Sequence, residues 1–290
     1  MTNNHTACVI IVTHNRSSLL EKAVKSSFNQ TKKPLQIIVV DDCSNIKQQD
    51  NNKKIASKYA SEYYCLEKNS GPQVARNYGA SKAIASILLF LDDDDQFKED
   101  KIEKIIKCFN NIQDLGAVSN GFKAIWKNDK SKNFKTKLHD DIDSMLKDNS
   151  MGGCSVMSVK KDIFMKIGGF STNLLSCQDW DFWLKLYKNT KIKVLQDPLT
   201  IYTLIDSKRI SKNLRKIYQG NKSFYLKYKK DMRHETKMWM LYKIFVHKYF
   251  LIKNSTKLTK IILLSLKSRK FMPALIIFLS LIKNNLNKHF

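Results

Sequence analysis

Four consecutive aspartates, Asp92, Asp93, Asp94 and Asp95, follow directly on the apolar run Ile87-Leu88-Leu89-Phe90-Leu91. Like charges a few ångströms apart disfavour one another's ionisation, so four adjacent carboxylates are costly unless a cation shares them. Oxygen-only donors suit hard divalent ions such as magnesium or manganese, and those ions in turn favour a phosphate-bearing substrate. The apolar run reads as a strand buried on both faces, which delivers its last residues to the carboxyl edge of a sheet. That edge is where open α/β sheets bind ligands. An acidic cluster alone is equally compatible with a solvated loop, so the case for a metal depends on what else converges there.

Two further apolar runs carry polar groups to the same edge. Ala7 to Thr13 runs into His14-Asn15-Arg16, and Leu35 to Val40 ends in Asp41-Asp42-Cys43-Ser44. Between them, Ser18-Leu19-Leu20-Glu21 fits a capping box opening a helix with Leu20, Val24 and Phe28 on one face. Tyr63 to Leu66 reads as a third strand, and Gly71-Pro72 opens a helix with proline where its missing N–H does no harm. That helix carries Arg76-Asn77 near its start, where a guanidinium can reach a phosphate. After the aspartates, Ile102, Ile105, Ile106 and Phe109 recur at helical spacing. Such alternation, with right-handed crossovers, predicts a parallel sheet covered on both faces.

Beyond Ala117 to Phe122 the pattern becomes irregular. Lys127 to Lys137 is polar and lysine-rich and reads as a mobile surface loop. A second ordered block runs from Met151 to about Tyr202, with Gly152-Gly153 and Gly168-Gly169 as turn signals.

The 290 residues, 43% of them hydrophobic, are enough for one large domain with an appendage. The net charge of +25 is unevenly distributed: residues 211–290 hold nineteen Lys and Arg against only Asp231 and Glu235. Strong basicity could point to nucleic acid, but no DNA- or RNA-binding motif accompanies it, and no nucleic-acid partner is expected. The six cysteines form no C-x-x-C pair and no zinc spacing, so reduced thiols are expected. The start, Met1-Thr2-Asn3-Asn4-His5, lacks a charged residue followed by an apolar stretch, and Phe271 to Ile282 is short of the roughly 20 residues a membrane span needs. A cytoplasmic location is therefore expected.

Taken in order, the segments Val9-Ile10-Ile11-Val12-Thr13-His14-Asn15-Arg16, Ile37-Ile38-Val39-Val40-Asp41-Asp42-Cys43-Ser44, Ala75-Arg76-Asn77 and Phe90-Leu91-Asp92-Asp93-Asp94-Asp95 resemble the nucleotide-sugar half of glycosyltransferase family 2. Gly168-Gly169-Phe170 and Gln178-Asp179-Trp180-Asp181-Phe182-Trp183-Leu184 resemble that family's acceptor half. The likeness spans about residues 7–205. It implies an α/β protein of GT-A fold: a Rossmann-like, mostly parallel sheet flanked by helices, followed here by a helical C-terminal extension. The implied domains are 1–210, with a nucleotide-sugar half to about 115 and an acceptor half over 116–210, and a basic, apolar helical region over 211–290.

The resemblance also implies an activity, sugar transfer from a nucleotide donor with inversion at the anomeric carbon, assisted by Mn2+ or Mg2+. Carried over by position, Thr13 and Arg16 line the nucleotide pocket, Asp42 accepts from the base ring and favours uridine, and Arg76 helps to hold the nucleotide. Asp92 and Asp94 are the D-x-D pair, with Asp94 the direct metal ligand. Asp92 and Asp93 also fall on the nucleotide side, although Asp93 and Asp95 could do no more than shape the turn. Asp179 matches the family's base, which takes the proton of the attacking hydroxyl.

Four departures stand out. Gln178 replaces the usual Glu, which removes a neighbouring charge and should lower the pKa of the base. A histidine often found near a tyrosine like Tyr202 is absent from Tyr202-Thr203-Leu204-Ile205-Asp206-Ser207-Lys208-Arg209, leaving Asp206 or Arg209 as possible substitutes. Cys43 stands where glycine is frequent and His14 where tyrosine is, His14 reading as a pocket wall.

The basic, aromatic stretch from Met238 to Ile252 and the lysines Lys253, Lys257, Lys260 and Lys267 suit an anionic membrane surface, or packing on the catalytic domain or a second subunit. The expected whole is a peripheral enzyme on the inner face of the cell membrane that moves a sugar from a nucleotide-sugar donor to a glycan or lipid-linked acceptor and serves bacterial surface polysaccharide or lipopolysaccharide assembly. The competing readings are a glycan- or nucleotide-binding adaptor that kept the fold without catalysis, and a nucleotidyltransferase.

Overall fold

Short β-branched and leucine-rich runs with no polar side chain along their length can be buried only if sheet neighbours satisfy their backbone and helices cover both faces. In the computed structural model, which describes residues 4–126, 128–204 and 213–252, the first part of the chain does this. Its elements are β1 (Ala7–Thr13), α1 (Ser17–Phe28), β2 (Gln36–Asp41), α2 (Ile46–Lys58), β3 (Glu62–Cys65), α3 (Pro72–Lys82) and β4 (Ile87–Asp92). There follow β5 (Asp95–Phe97), α4 (Lys101–Asn111), β6 (Leu115–Ile125), β7 (Ser131–Phe134), α5 (Ile142–Lys147) and a 3-10 turn over Cys154–Val156. The last elements are β8 (Met157–Lys160), α6 (Lys161–Lys166), α7 (Gln178–Asn189), β9 (Lys191–Thr203), α8 (Leu214–Tyr228) and α9 (His234–Ile252).

One sheet has the order β3-β2-β1-β4-β8-β6-β9-β5, with β7 beside β6. The strands β3, β2, β1 and β4 are mutually parallel, as the alternation predicts. Beyond β4 the sheet is mixed, because β8 pairs antiparallel with both β4 and β6, while β6 and β9 run parallel. On one face, Val9, Ile11, Val39, Leu89 and Leu91 pack against Leu20 and Val24 of α1 and Ile102, Ile105 and Phe109 of α4. Each such side chain contributes about 1.5–3 kcal/mol when fully buried. Elsewhere Phe90 meets Phe164 and Phe170, and Phe170 stacks on Phe182 with ring centres 4.3 Å apart.

Two local expectations are corrected. The helix after β1 begins at Ser17 and has no side-chain cap, so the Ser18–Glu21 capping box does not form; the Ser17 N–H donates instead to Gln48 Oε1 at 2.9 Å. The segment read as a loop over 127–137 contains β7, whose residues pair antiparallel with β6 from Phe122↔Phe134 to Ile125↔Ser131. An exposed edge strand needs few apolar residues, so its lysines hid it.

The chain divides into two compact units, residues 1–140 with 149–207, and residues 141–148 with 208–290. The short helix α5, which the sequence places in the acceptor half, thus groups with the C-terminal helices. Within this second unit the Asp143 carboxylate accepts from the Arg233 N–H and the Thr236 hydroxyl, each at 2.7 Å, and Lys243 Nζ donates to the Lys147 carbonyl. Among the described residues no helix is long and apolar enough to cross a membrane. The tail lysines from Lys253 onward, Phe271 to Ile282, Asp206 and Arg209 lie outside the described residues.

Candidate active site

Register brings the polar clusters to one edge. Thr13 at the end of β1 pairs with Asp41, and Val12 pairs with Asp92, so the carboxyl ends of β2, β1 and β4 are level. The helix α3 is held close to this sheet by Gly79, where an added Cβ would stand 2.6 Å from Ile10 Cγ2. That approach sets Arg76, about one turn earlier, beside the end of β4.

The four aspartates face different partners. Asp93, 1% exposed, accepts from the Thr13 hydroxyl at 2.7 Å and pairs with Arg16 Nη2 at 2.6 Å. Burial pushes its carboxyl up to about 7, while Arg16 and then Thr13 pull it down. Arg16 Nη1 also reaches Asp94 Oδ2 at 3.4 Å. Asp92 Oδ1 pairs with Arg76 Nη2. Asp95 Oδ2 accepts from the Ser155 hydroxyl at 2.7 Å. Among the described residues, Asp92, Asp94 and Asp95 each offer one oxygen within 4.8 Å of the others. Three carboxylate oxygens at that spacing fit a hard divalent ion, which takes oxygen ligands at about 2.0–2.6 Å.

Arg76 is 4% exposed and its guanidinium lies over the Phe170 ring, 5.5 Å from the centre. Burial weakens its hold on the proton, but the Asp92 carboxylate more than restores it, so the group stays charged. Its Nε and Nη1 are buried without a hydrogen-bond partner among the described residues. Such groups cost about 1–3 kcal/mol each until an acceptor reaches them. The adjoining Asn77 bridges to the Gly168-Gly169-Phe170 turn, donating to the Phe170 carbonyl and accepting its N–H, both at 2.9 Å.

Asp42, one residue beyond β2, holds the start of α3: its two oxygens accept from Ser70 N at 2.7 Å and Gly71 N at 2.8 Å. A carboxylate offers about four lone-pair directions, so further acceptance is possible. Its carbonyl accepts a hydrogen bond from His14 Nδ1 at 2.9 Å, and His14 Nε2 then accepts from Asn15 Nδ2 at 2.9 Å. Cys43 has φ +58°, the left-handed region where a Cβ is disfavoured, which gives a physical reason for glycine at such a position. Asp41 faces inward, bound to Ser44 N, Asn52 and Tyr63.

Asp179 sits in the first turn of α7, half-buried. Its Oδ1 accepts from Trp180 N at 2.9 Å and its Oδ2 from Asn149 Nδ2 at 3.0 Å. Burial raises its pKa above the ordinary carboxylate range; Trp180 N–H and Arg76 oppose that, and Asp92 adds to it. Desolvation thus outweighs any effect of the charge lost at 178. The Gln178 amide is directed to Gln73 Oε1 at 3.0 Å and the Leu174 carbonyl at 2.9 Å, where a donor is required and a carboxylate would be repelled. Gly152-Gly153 packs alongside: Trp183 Nε1 donates to the Gly152 carbonyl, and Gly153 N donates to the Tyr202 hydroxyl. A Cβ on Gly153 would come within 3.7 Å of Asp179 Oδ2. Burial, reinforced by Asp95 and Asp92, raises the Tyr202 phenol, which keeps its proton.

Thr13, Arg16, Asp42 and Asp92 to Asp95 therefore lie at one sheet edge, with Arg76 near the start of α3 and Asp179 at the start of α7. Sequence reasoning missed Asp95 as a third cation-capable carboxylate, because four identical neighbours carry no marker of direction. It also missed Asn149, Ser155 and Lys101. For Lys101 a signal existed: it shares a helical face with Ile105 and Phe109, where an apolar residue would be ordinary.

Comparison with known proteins gives the same frame. The model of the family described as Glycosyl transferase family 2 matches residues 8–168. An uncharacterized glycosyltransferase of Haemophilus influenzae is 30% identical over 217 residues, covering 70% of this chain and 69% of the relative. The GalNAc(5)-diNAcBac-PP-undecaprenol beta-1,3-glucosyltransferase of Campylobacter jejuni is 30% identical over 309 aligned residues, covering 96% and 94%. Among solved structures, S. aureus TarS 1-349 in complex with UDP-GlcNAc superposes with TM-score 0.63 at 19% identity, covering 84% of this chain and 72% of that one. The mannosyltransferase PcManGT from Pyrobaculum calidifontis, in complex with GDP-Man and Mn2+, superposes with TM-score 0.61 at 16% identity, covering 98% and 88%. The structural likeness establishes the GT-A fold, and with the family model and two relatives matched over two thirds or more of their length, the chain belongs to glycosyltransferase family 2.

Proposed function

We propose that this glycosyltransferase moves a sugar from a nucleoside diphosphate donor, with UDP favoured, to a lipid-linked glycan by direct displacement with inversion. The observation that carries this reading is the nearness of Asp179 to the acid cluster: a Cβ on Gly153 would lie 3.7 Å from Asp179 Oδ2, and Ser155, two residues on, donates to Asp95 Oδ2 at 2.7 Å. One carboxylate can then take the acceptor proton while Arg76 and an ion held by the aspartates would face the departing diphosphate. Thr13 and Arg16 line the nucleotide pocket and Asp42 accepts from the base ring. The partnerless Nε and Nη1 of Arg76 donate to donor oxygens, an interaction strengthened by the guanidinium charge. Asp92, Asp94 and Asp95 hold a divalent ion, which when bound neutralises charge on the leaving diphosphate. Asn149 orients the Asp179 carboxylate, and Gly153 leaves room beside it for the acceptor hydroxyl.

A panel of nucleotide sugars with Mn2+ tests the donor. A true donor at about one hundred times its Kd stabilises the fold by about 2.7 kcal/mol, and a Tm rise of several degrees is expected for one member, with UDP sharing the effect. No shift from any nucleoside diphosphate sugar, with pyrophosphate released from a nucleoside triphosphate, would identify a nucleotidyltransferase instead. Inversion is read from the anomeric proton coupling of the product.

A lipid-linked acceptor is supported by the undecaprenol-linked substrate in the Campylobacter relative's name and by the basic C-terminal region, and it would suit a peripheral enzyme on the inner face of the membrane in assembly of a surface polysaccharide or lipopolysaccharide. The full chain should sediment with phosphatidylglycerol vesicles and not with phosphatidylcholine, and less as salt rises. Equal binding to both vesicles, or to neither, removes the electrostatic membrane contact.

A further inference from the structure

Beneath the acid cluster lies a buried lysine that no step above uses. Lys101, 0% exposed, opens α4, and its Nζ donates to the Ser155 carbonyl at 2.6 Å and to Thr200 Oγ1 at 2.9 Å. The same nitrogen also lies 3.8 Å from the centre of the Phe97 ring. The Thr200 hydroxyl in turn donates to the same Ser155 carbonyl at 3.0 Å, so two donors lock one backbone oxygen in the turn Cys154–Val156. The other end of Ser155 meets the cluster. Its hydroxyl accepts from Asp92 N at 3.1 Å and donates to Asp95 Oδ2 at 2.7 Å, bridging the two ends of the acidic turn.

We propose that Ser155, braced from below by Lys101, is a positioning residue that sets the affinity of the Asp92–Asp94–Asp95 cluster for its divalent ion. The inference extends the cation reading made above and rests on it. Carboxylates converging within 4.8 Å repel one another, and each could relax that repulsion by turning away. A hydroxyl on a residue whose backbone carbonyl is held by two donors keeps the Asp95 carboxylate from that rotation. The same hydroxyl ties the end of β4 to Asp95, so the separation of the first and last aspartates is built in before an ion arrives. Partners one shell outside a metal commonly change its affinity by about 10–100-fold when removed. Neither Ser155 nor Lys101 touches donor or ion in this scheme.

The test is a titration of the full chain with Mn2+ alone, following free Mn2+ by its electron paramagnetic resonance signal, with thermal unfolding measured in parallel. Ser155→Ala is expected to raise the Kd for Mn2+ by about 10–100-fold. Ser155→Thr, which retains the hydroxyl, should restore binding, and Lys101→Met should weaken it in the same direction as Ser155→Ala. Should Lys101→Met fail to fold, Ser155→Cys supplies a second variant of similar size with a weaker donor, and its affinity should fall between those of wild type and Ser155→Ala. A Ser155→Ala protein that binds Mn2+ as tightly as wild type overturns the proposal, whatever its Tm, and leaves the cation reading intact. A wild type that binds no Mn2+ overturns both.

Discussion

Asp179→Asn should lower kcat for transfer by about 10²–10⁴-fold, the usual worth of a positioned general base. Donor binding should be nearly unchanged, because the asparagine amide keeps the size of the side chain and the Trp180 N–H still finds an oxygen. Rapid-quench transfer assays beside a donor thermal-shift titration separate the two effects. Wild-type activity in the variant would remove Asp179 from the chemistry and revive the reading of a binding protein that retained the fold. The pH profile gives a second check. Burial raises the folded-state pKa of Asp179, and the active form of a base is the deprotonated one. Activity is therefore lost as pH falls, and the acid limb should lie above the ordinary carboxylate pKa of about 4. Asn149→Ala removes a donor that favours the ionised carboxylate, so it should move that limb to higher pH.

Replacing Asp94 with asparagine should cost about 10²–10³-fold in kcat, comparable to removing one preorganised electrostatic contact to a developing charge. Mn2+ should stimulate the variant poorly even at high concentration. The contrast with Asp93→Asn is the sharper measurement. Asp93 is buried against Thr13 and Arg16, so its loss should chiefly destabilise the fold, by about 1–3 kcal/mol, and leave the Mn2+ titration of activity close to wild type. If Asp93→Asn and Asp94→Asn shift the Mn2+ requirement equally, the four carboxylates do not divide their work as their contacts indicate.

That division shows where reading the chain as a sequence stops. Alternation of apolar runs and helical spacing places Thr13, Asp42 and Asp92 at one edge, since a strand buried on both faces must end at the sheet border and parallel neighbours end level. The succession of motifs from Val9 to Leu184 carries the family and the GT-A fold, and singles out Asp179 as the proposed base. The C-terminal excess of lysine is likewise plain from composition. Other features were illegible for definite reasons. A strand of Ser131-Lys132-Asn133-Phe134 has no apolar pattern because it lies at an edge, and α5 groups with the C-terminal helices through contacts more than eighty residues distant. Gln178 reads as a lost charge in sequence, and only its hydrogen bonds to Gln73 and Leu174 show that a donor is what this position needs.

What the sequence determined by itself is therefore the chemistry available: carboxylates, two arginines and a base, delivered to one edge by periodicity that local propensity and burial enforce. What tertiary structure decided is which atom of each faces which. Asp93 turns inward to Arg16, Asp92 to Arg76, and Asp95 to Ser155, because those partners come from the start of α1, from α3 and from the turn before β8, which lie 16 to 77 residues away in sequence and become neighbours only in the fold. Four identical residues in a row cannot encode that difference locally; it arises from the direction in which each side chain leaves the turn and the charge it meets there.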